Sequence, residues 1–233
     1  MTVPGERTGS AWPGEHPAGA DARADGAGVR ARLVAAAVRI GERLAADAVW
    51  SGAGCTWPIT RPAPDGEAAA TVQELAPGVL YEGTAGIALF LAQLHRIHPD
   101  REIARTARGA LDFALHDAAS LPDDSFGLYS GRVGAAYTAV RAGRLLGTPF
   151  REAAEAVLRP LAGNEHRAGM DALGGAAGAI PALLWLSHHL DPDLTLGIAR
   201  RLGEHLRATA NRGGDGWSWG ASVAAARALC GYS

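Results

Sequence analysis

The sequence predicts an all-α fold, an incomplete ring of helical hairpins, and three observations carry that prediction. One phrase occurs three times, as Leu80-Tyr81-Glu82-Gly83-x-x-Gly86, Leu128-Tyr129-Ser130-Gly131-x-x-Gly134 and Ala172-Leu173-Gly174-Gly175-x-x-Gly178. Each copy runs straight into an apolar stretch with helical spacing. The first glycines of successive copies stand 48 and 44 residues apart, which is room for one helix out, one helix back and two loops.

Taken from the N-terminus, residues 1–28 are rich in Gly, Pro, Ala, Asp and Glu, with no apolar run behind a basic start, so they read as a disordered tail and not as a signal peptide. A first helix is expected from about Val29 to Val49, where Leu33, Ala37, Ile40, Leu44 and Ala48 recur at helical spacing. The segment from Trp50 to Gly78 holds eight Gly and Pro residues, which predicts a long loop without strands, pinned to the core by Trp50 and Trp57.

From Thr84 onward two kinds of helix alternate. The first kind opens at the second glycine of each phrase and is almost wholly apolar, as in Ile87 to Ala92, Ala135 to Val140 and Ala179 to Leu186, so these are expected to be inner helices buried all round. The second kind is amphipathic and charged, over Arg101 to Ser120, Pro149 to Leu161 and Pro192 to Ala210, so these are expected to be outer helices with one wet face. Thr148-Pro149 and Asp191-Pro192 each put a capping oxygen ahead of a proline whose missing N–H would be unpaired anyway. Pro181 sits about one turn into the third inner helix, where it kinks the axis or marks a later start.

The glycine pairs Gly83/Gly86, Gly131/Gly134 and Gly175/Gly178 are read as structural. The first of each pair is expected to take positive φ in the entering loop, and the second to remove a side chain where neighbouring inner helices crowd together. The rival reading lets backbone N–H groups at these helix starts touch a ligand. No Gly-Lys-Ser/Thr follows, which removes a phosphate loop.

Composition narrows the partners. The 233 residues are 48% hydrophobic with net charge −2, enough to bury a core, and all 22 basic residues are arginine, interspersed with acids. No nucleic-acid stripe or polybasic membrane patch results. No apolar stretch reaches the length of about 18 residues that spans a bilayer, so the expected location is cytoplasmic. Cys55 and Cys230 are too few for a disulfide framework and lack zinc-type spacing, so each reads as a small buried hydrophobe.

Apolar inner helices opened by Gly-x-x-Gly and alternating with charged outer helices resemble the α/α toroid, a six-hairpin glycosidase-like scaffold, of the lanthionine synthetase C-like family. Leu80 to Ala88 and Asp171 to Ala179 carry the resemblance, which spans about Val29 to Ser233 and is closest to the cyclase portion of two-domain, type 2 lanthipeptide synthetases, although no dehydratase-like segment precedes it. The resemblance implies addition of a precursor-peptide cysteine thiolate, activated by zinc, to dehydroalanine or dehydrobutyrine, closing a thioether ring. Coordination lowers a thiol pKa from about 8.5 so that it ionises at neutral pH, and an acid or base then protonates the enolate. The family's active-site aspartate, four residues before the first glycine of the third repeat, falls on Asp171.

Other parts of the family's site have no counterpart in this sequence. The fourth repeat of the family opens Gly-x-Ser-His-Gly, and this chain ends at Gly231-Tyr232-Ser233. The zinc ligands, a cysteine in the fifth repeat and a Cys-His pair in the sixth, would lie farther on. His95, His98, His116, His188, His189 and His205 read as surface or capping residues, His16 lies in the tail, and His166, just before Asp171, is a loop histidine weighed for the site and set below it. No metal ligand is assigned and no zinc is expected on this chain alone. The expectation is that residues 29–233 are the N-terminal part of the domain, truncated before the His-Gly repeat and inactive without a missing C-terminal half, with a precursor peptide as substrate and a dehydratase as a further partner.

Two rivals stay open on sequence. A helical-repeat binding module has the same period of about 40 to 47 residues and is told apart by a smooth concave face without hub-facing polar groups. A six-hairpin glycosidase needs two carboxylates across a cleft, for which Glu82 and Asp171 are the available pair. Glu82 is otherwise expected to cap the adjacent helix start.

Overall fold

The computed structural model describes residues 20–62, 71–213, 216–220 and 228–229; Cys230, His16 and most of the expected tail lie outside them. Compact units divide within the first helix, between Arg39 and Ile40, and the second unit carries all three repeats. Helix α1 runs Ala20–Asp47, so residues 20–28 are helical and not part of a tail. Ala20, Ala22, Ala24 and Ala27 are strong helix formers and outweigh Gly26 and Gly28. The predicted apolar stripe is only half right: Leu33 and Ile40 are 66% and 54% exposed, whereas Gly41 is buried, with Leu94 and Ile103 packed where its side chain would stand.

The segment predicted to be a strandless loop contains two antiparallel hairpins. β1 (Val49–Ser51) pairs with β2 (Gly54–Thr56), and β3 (Pro58–Pro62) pairs with β4 (Thr71–Leu75). The prolines stand at the two ends of β3, where a missing N–H costs the ladder least, and Ile59, Thr60, Thr71 and Val72 are β-branched. The tryptophan pins hold: Trp57 is buried and its Nε1–H donates to the Leu44 carbonyl at 2.8 Å, and Arg105 stacks 4.1 Å from the Trp50 ring centre.

Six helices then build the repeats, α2 (Thr84–Ile97), α3 (Arg101–Ala119), α4 (Arg132–Leu146), α5 (Arg151–Leu158), α6 (Ala176–Leu186) and α7 (Pro192–Thr209). Inner helices α2, α4 and α6 touch in succession, and α3, α5 and α7 each pack on the inner helix before them, as a partial α/α toroid requires. A small sheet of β5 (Asn211–Gly213), β6 (Gly216–Gly220) and β7 (Ala228–Leu229) follows, tied back by Trp219 Nε1–H to the Leu206 carbonyl at 2.8 Å. Outer helices start as their caps dictate: Asp100 accepts from Ile103 N–H, and Asp191 from Asp193 N–H ahead of Pro192. Thr148 does not cap α5. Phe150 is the N-cap, and the Thr148 hydroxyl takes Arg108 Nε–H at 2.9 Å instead. Pro181 sits inside α6 without ending it, with its ring exposed.

The glycines work differently from the sequence expectation. Inner helices begin directly after the first glycine of each pair, which is the N-cap with extended φ of −140°, −135° and −114° at Gly83, Gly131 and Gly175. The entering loop folds back over that glycine. Thr84 N–H donates to Pro77 O, Arg132 N–H to Ser125 O and Ala176 N–H to Gly169 O, seven residues back each time, at 2.7 to 2.9 Å. A Cβ on the N-cap would strike those same carbonyls. At Gly86, Gly134 and Gly178 a Cβ would collide with the carbonyl six residues earlier, Leu80 O, Leu128 O or Ala172 O. The crowding is therefore against each repeat's own loop and not between neighbouring helices. Positive φ occurs instead at Glu82, at 57°.

Candidate functional site

At the glycine-bearing end of the inner helices the three entering loops are laced together. Tyr81 N–H donates to Tyr129 O at 2.9 Å and Tyr129 N–H to Leu173 O at 3.1 Å, one repeat to the next. These residues hold the same place, two before each N-cap glycine, and all three side chains are exposed. Tyr81 and Tyr129 meet edge to face with centroids 6.5 Å apart. An aromatic and aliphatic lip thus borders this rim.

Asp171 lies where the third loop would otherwise lack an acceptor. Its Oδ1 accepts from Leu173 N–H and from Gly174 N–H, each at 2.7 Å, which completes the line of N–H donors that runs around the rim. Two backbone donors fix the plane of the carboxyl group. Asp171 remains half-exposed, and its Oδ2 has no hydrogen-bond partner among the described residues. Ser130, in the preceding repeat, places its Oγ 3.4 Å from where a Gly174 Cβ would stand, and Gly127 packs on the Gly174 backbone so closely that a Cβ there would sit 2.8 Å from its Cα. Ser130 was not singled out by sequence reading; its offset, one before the N-cap glycine, was the available signal.

The other sequence candidates separate. His166 is exposed in a short 3-10 turn, Glu165–Arg167, with no hydrogen bond to Asp171 among the described residues. Glu82 does not cap α2: its Oε2 lies 3.7 Å from Arg61 Nη1 on β3. The first backbone N–H groups of the inner helices, at Thr84, Arg132 and Ala176, are bonded to loop carbonyls.

Toward the opposite end, Gln93, Arg141 and Trp185 occupy one equivalent place, ten residues after each N-cap glycine, and with Arg144 and Leu145 line a shared cavity of about 450 Å³. Tyr137 stacks edge-on against Trp185 at 5.0 Å beside it. Polar groups on three successive inner helices converge there, unlike a smooth concave solenoid face.

Metal donors do not converge. Among the described residues no three His, Cys, Asp or Glu side chains form a cluster. The Cys55 thiol is buried, donates to Thr106 O at 3.4 Å and is pushed up to about 11, chiefly by burial. A thiol so held is a poor zinc ligand, and Asp171 spends one oxygen on the loop. The described residues therefore do not fit the zinc site that the sequence resemblance implies. No described helix is long and apolar enough to cross a membrane.

A family model, described as "Lanthionine synthetase C-like protein", matches residues 75–219. That stretch begins at β4 and contains all three repeats, Asp171 and the rim. No curated protein matches the chain.

Proposed function

This chain belongs to the lanthionine synthetase C-like family, and from that premise we propose that it is part of a lanthipeptide cyclase, contributing an acid–base carboxylate and a peptide-binding rim to thioether ring closure. The observation that carries the proposal is Asp171, four residues before the third N-cap glycine, half-exposed, with Oδ1 anchored by two N–H groups and Oδ2 without a hydrogen-bond partner among the described residues. In the reaction proposed, a cysteine thiolate of a precursor peptide adds to the β-carbon of a dehydroalanine or dehydrobutyrine. The carbon–carbon double bond is consumed, its electron pair passes into an enolate, and a proton delivered to the α-carbon completes the thioether. Asp171 is the group in this chain suited to relay that proton, taken from solvent or from the incoming thiol. Tyr81, Tyr129 and Leu173 give the peptide an apolar margin to lie against.

Activation of the thiol is not assigned to described residues, since their donor set does not fit zinc. The proposal therefore places the zinc ligands on further hairpins outside those residues, with dehydration carried out by a separate activity and the complex working in the cytoplasm. The chain by itself is expected to bind no stoichiometric zinc and to close no rings. The test is to express it alone and together with a polypeptide bearing the later family repeats, measure zinc, and count free thiols by alkylation and mass spectrometry on a dehydrated peptide. Ring closure only in the combined sample, lost on Asp171→Asn, is the expected result. Stoichiometric zinc in the lone chain, or closure unaffected by Asp171→Asn, overturns the reading.

A further inference from the structure

The hairpin of β3 and β4 has two unequal outer edges. Ala76 N–H donates to Trp57 O at 2.8 Å, one step beyond the pairing of Pro58 with Leu75, and this sets the phase of the ladder. Antiparallel partners alternate between pairs that exchange both bonds and pairs that turn N–H and C=O outward. Ile59–Glu74 and Arg61–Val72 are therefore the bonded pairs, while Pro58, Thr60 and Pro62 on β3 and Thr71, Gln73 and Leu75 on β4 face out. Proline has no N–H, so the β3 edge offers a single donor, at Thr60. The β4 edge offers a donor and an acceptor at each of its three outward residues.

That β4 edge is open. All five residues of β4 are exposed, and among the described residues the sheet has no third strand and the N–H groups of Thr71, Gln73 and Leu75 have no partner. An exposed edge free of proline is a template for another strand. Val72 and Leu75, 40% and 53% exposed, add an apolar side chain on each face. The edge also leads into the candidate site: β4 ends at Leu75, Pro77 O takes Thr84 N–H, and Tyr81 follows on the rim. Its charge is unbalanced as well. Arg61 lies 2.5 Å from Glu74 and 3.7 Å from Glu82, so one guanidinium serves two carboxylates and a negative charge is left over.

We propose that β4 docks an extended, basic segment of the precursor peptide as a third strand, its main chain bonding to Thr71, Gln73 and Leu75 and a Lys or Arg side chain lying beside Glu74. Main-chain bonds supply affinity without demanding one sequence, and the charge on the Glu74 face supplies selection. The choice of the precursor peptide as occupant rests on the cyclase reading; the open edge does not. Docking there holds one flank of the substrate while residues farther along it reach the rim at Tyr81 and Tyr129.

The test is fluorescence anisotropy of the full chain with a labelled peptide of alternating Thr and Lys, its Thr-Glu and Thr-Gln counterparts, and a Thr-Lys peptide N-methylated throughout its main chain. The Thr-Lys peptide is expected to bind tightest and to be displaced by the dehydrated peptide used for ring closure, and N-methylation to weaken binding about tenfold or more. Gln73→Pro removes an outward N–H while sparing the bonded pairs, and is expected to weaken binding likewise; Thr60→Pro, the same change on the β3 edge, is expected to leave it unchanged. Glu74→Gln is expected to abolish the preference for Lys over Gln. Failure of all these peptides to bind, equal binding of the N-methylated one, failure of the dehydrated peptide to compete, or equal effects of Gln73→Pro and Thr60→Pro overturns the proposal. So does a two-chain mass in light scattering that falls to one chain on Gln73→Pro, which means that a second copy takes the edge. Binding that holds while the combined sample closes no rings counts against the cyclase reading alone, and closure that holds while binding fails counts against this site alone.

Discussion

At the scale of single residues, the side chains that hold the candidate site are those whose polar atoms are spent on backbone. Asp171 is the clearest case. Asparagine in its place keeps an oxygen for Leu173 and Gly174 N–H, whereas alanine leaves both without a partner. Asp171→Ala is expected to cost about 2 kcal/mol and Asp171→Asn less than about 1 kcal/mol in denaturant unfolding, although both remove the proposed proton relay. Equal costs would show that the loop does not depend on this carboxyl. Arg132 went unnoticed in the sequence because its neighbours give no sign of burial. Its side chain is 4% exposed, pairs with Asp123 at 3.1 Å and donates to carbonyls of Ala119, Leu121, Pro122 and Val157. Arg132→Ala, which strands those acceptors, is expected to destabilise by about 3 kcal/mol in the same measurement. Cys55, read from sequence as a buried hydrophobe, is one, and its thiol is pushed up from 9.0 to about 11. An unfolded chain ionises this thiol near pH 9 while the folded one does not. Its contribution is therefore complete below that pH and is lost as pH rises toward 11. Unfolding free energy is expected to fall by about 2 kcal/mol more in the unaltered chain than in Cys55→Ala over that interval.

At the scale of the element, glycine at the inner-helix starts answers to the loop that precedes it. Gly178→Ala drives a methyl into Ala172 O, and Gly134→Ala into Leu128 O; each is expected to cost about 3 kcal/mol by overpacking. Gly203, inside α7, has nothing within 4 Å of an added Cβ, so Gly203→Ala is expected to stabilise by about 0.5–1 kcal/mol through helix propensity. Thermal melts of the two kinds of variant should move in opposite directions, and parallel shifts would sink this account. The existence and type of α2 to α7 were legible because their apolar spacing is long and regular. The hairpins β1–β2 and β3–β4 were not, because pairings of three and five residues among prolines and glycines leave little periodicity, and β2 is set by its packing on α3. The cap at Thr148 failed for a related reason: Arg108, 40 residues away, claims its hydroxyl.

At the scale of the whole molecule, three hairpins in one register make an arc whose inner helices share a cavity and whose rim is laced from Tyr81 through Tyr129 to Leu173. The sequence by itself determined the helical class, the number and order of the hairpins, the place of the glycine pairs and the position of Asp171, because each of these is written in local periodicity or in a spacing that recurs. Only the tertiary structure decided what those glycines avoid, which partner Glu82 takes and that Asp171 holds the third loop. Those outcomes depend on which chain segments meet across tens of residues, and an amino-acid pattern records the need for burial without naming the atoms that will provide it.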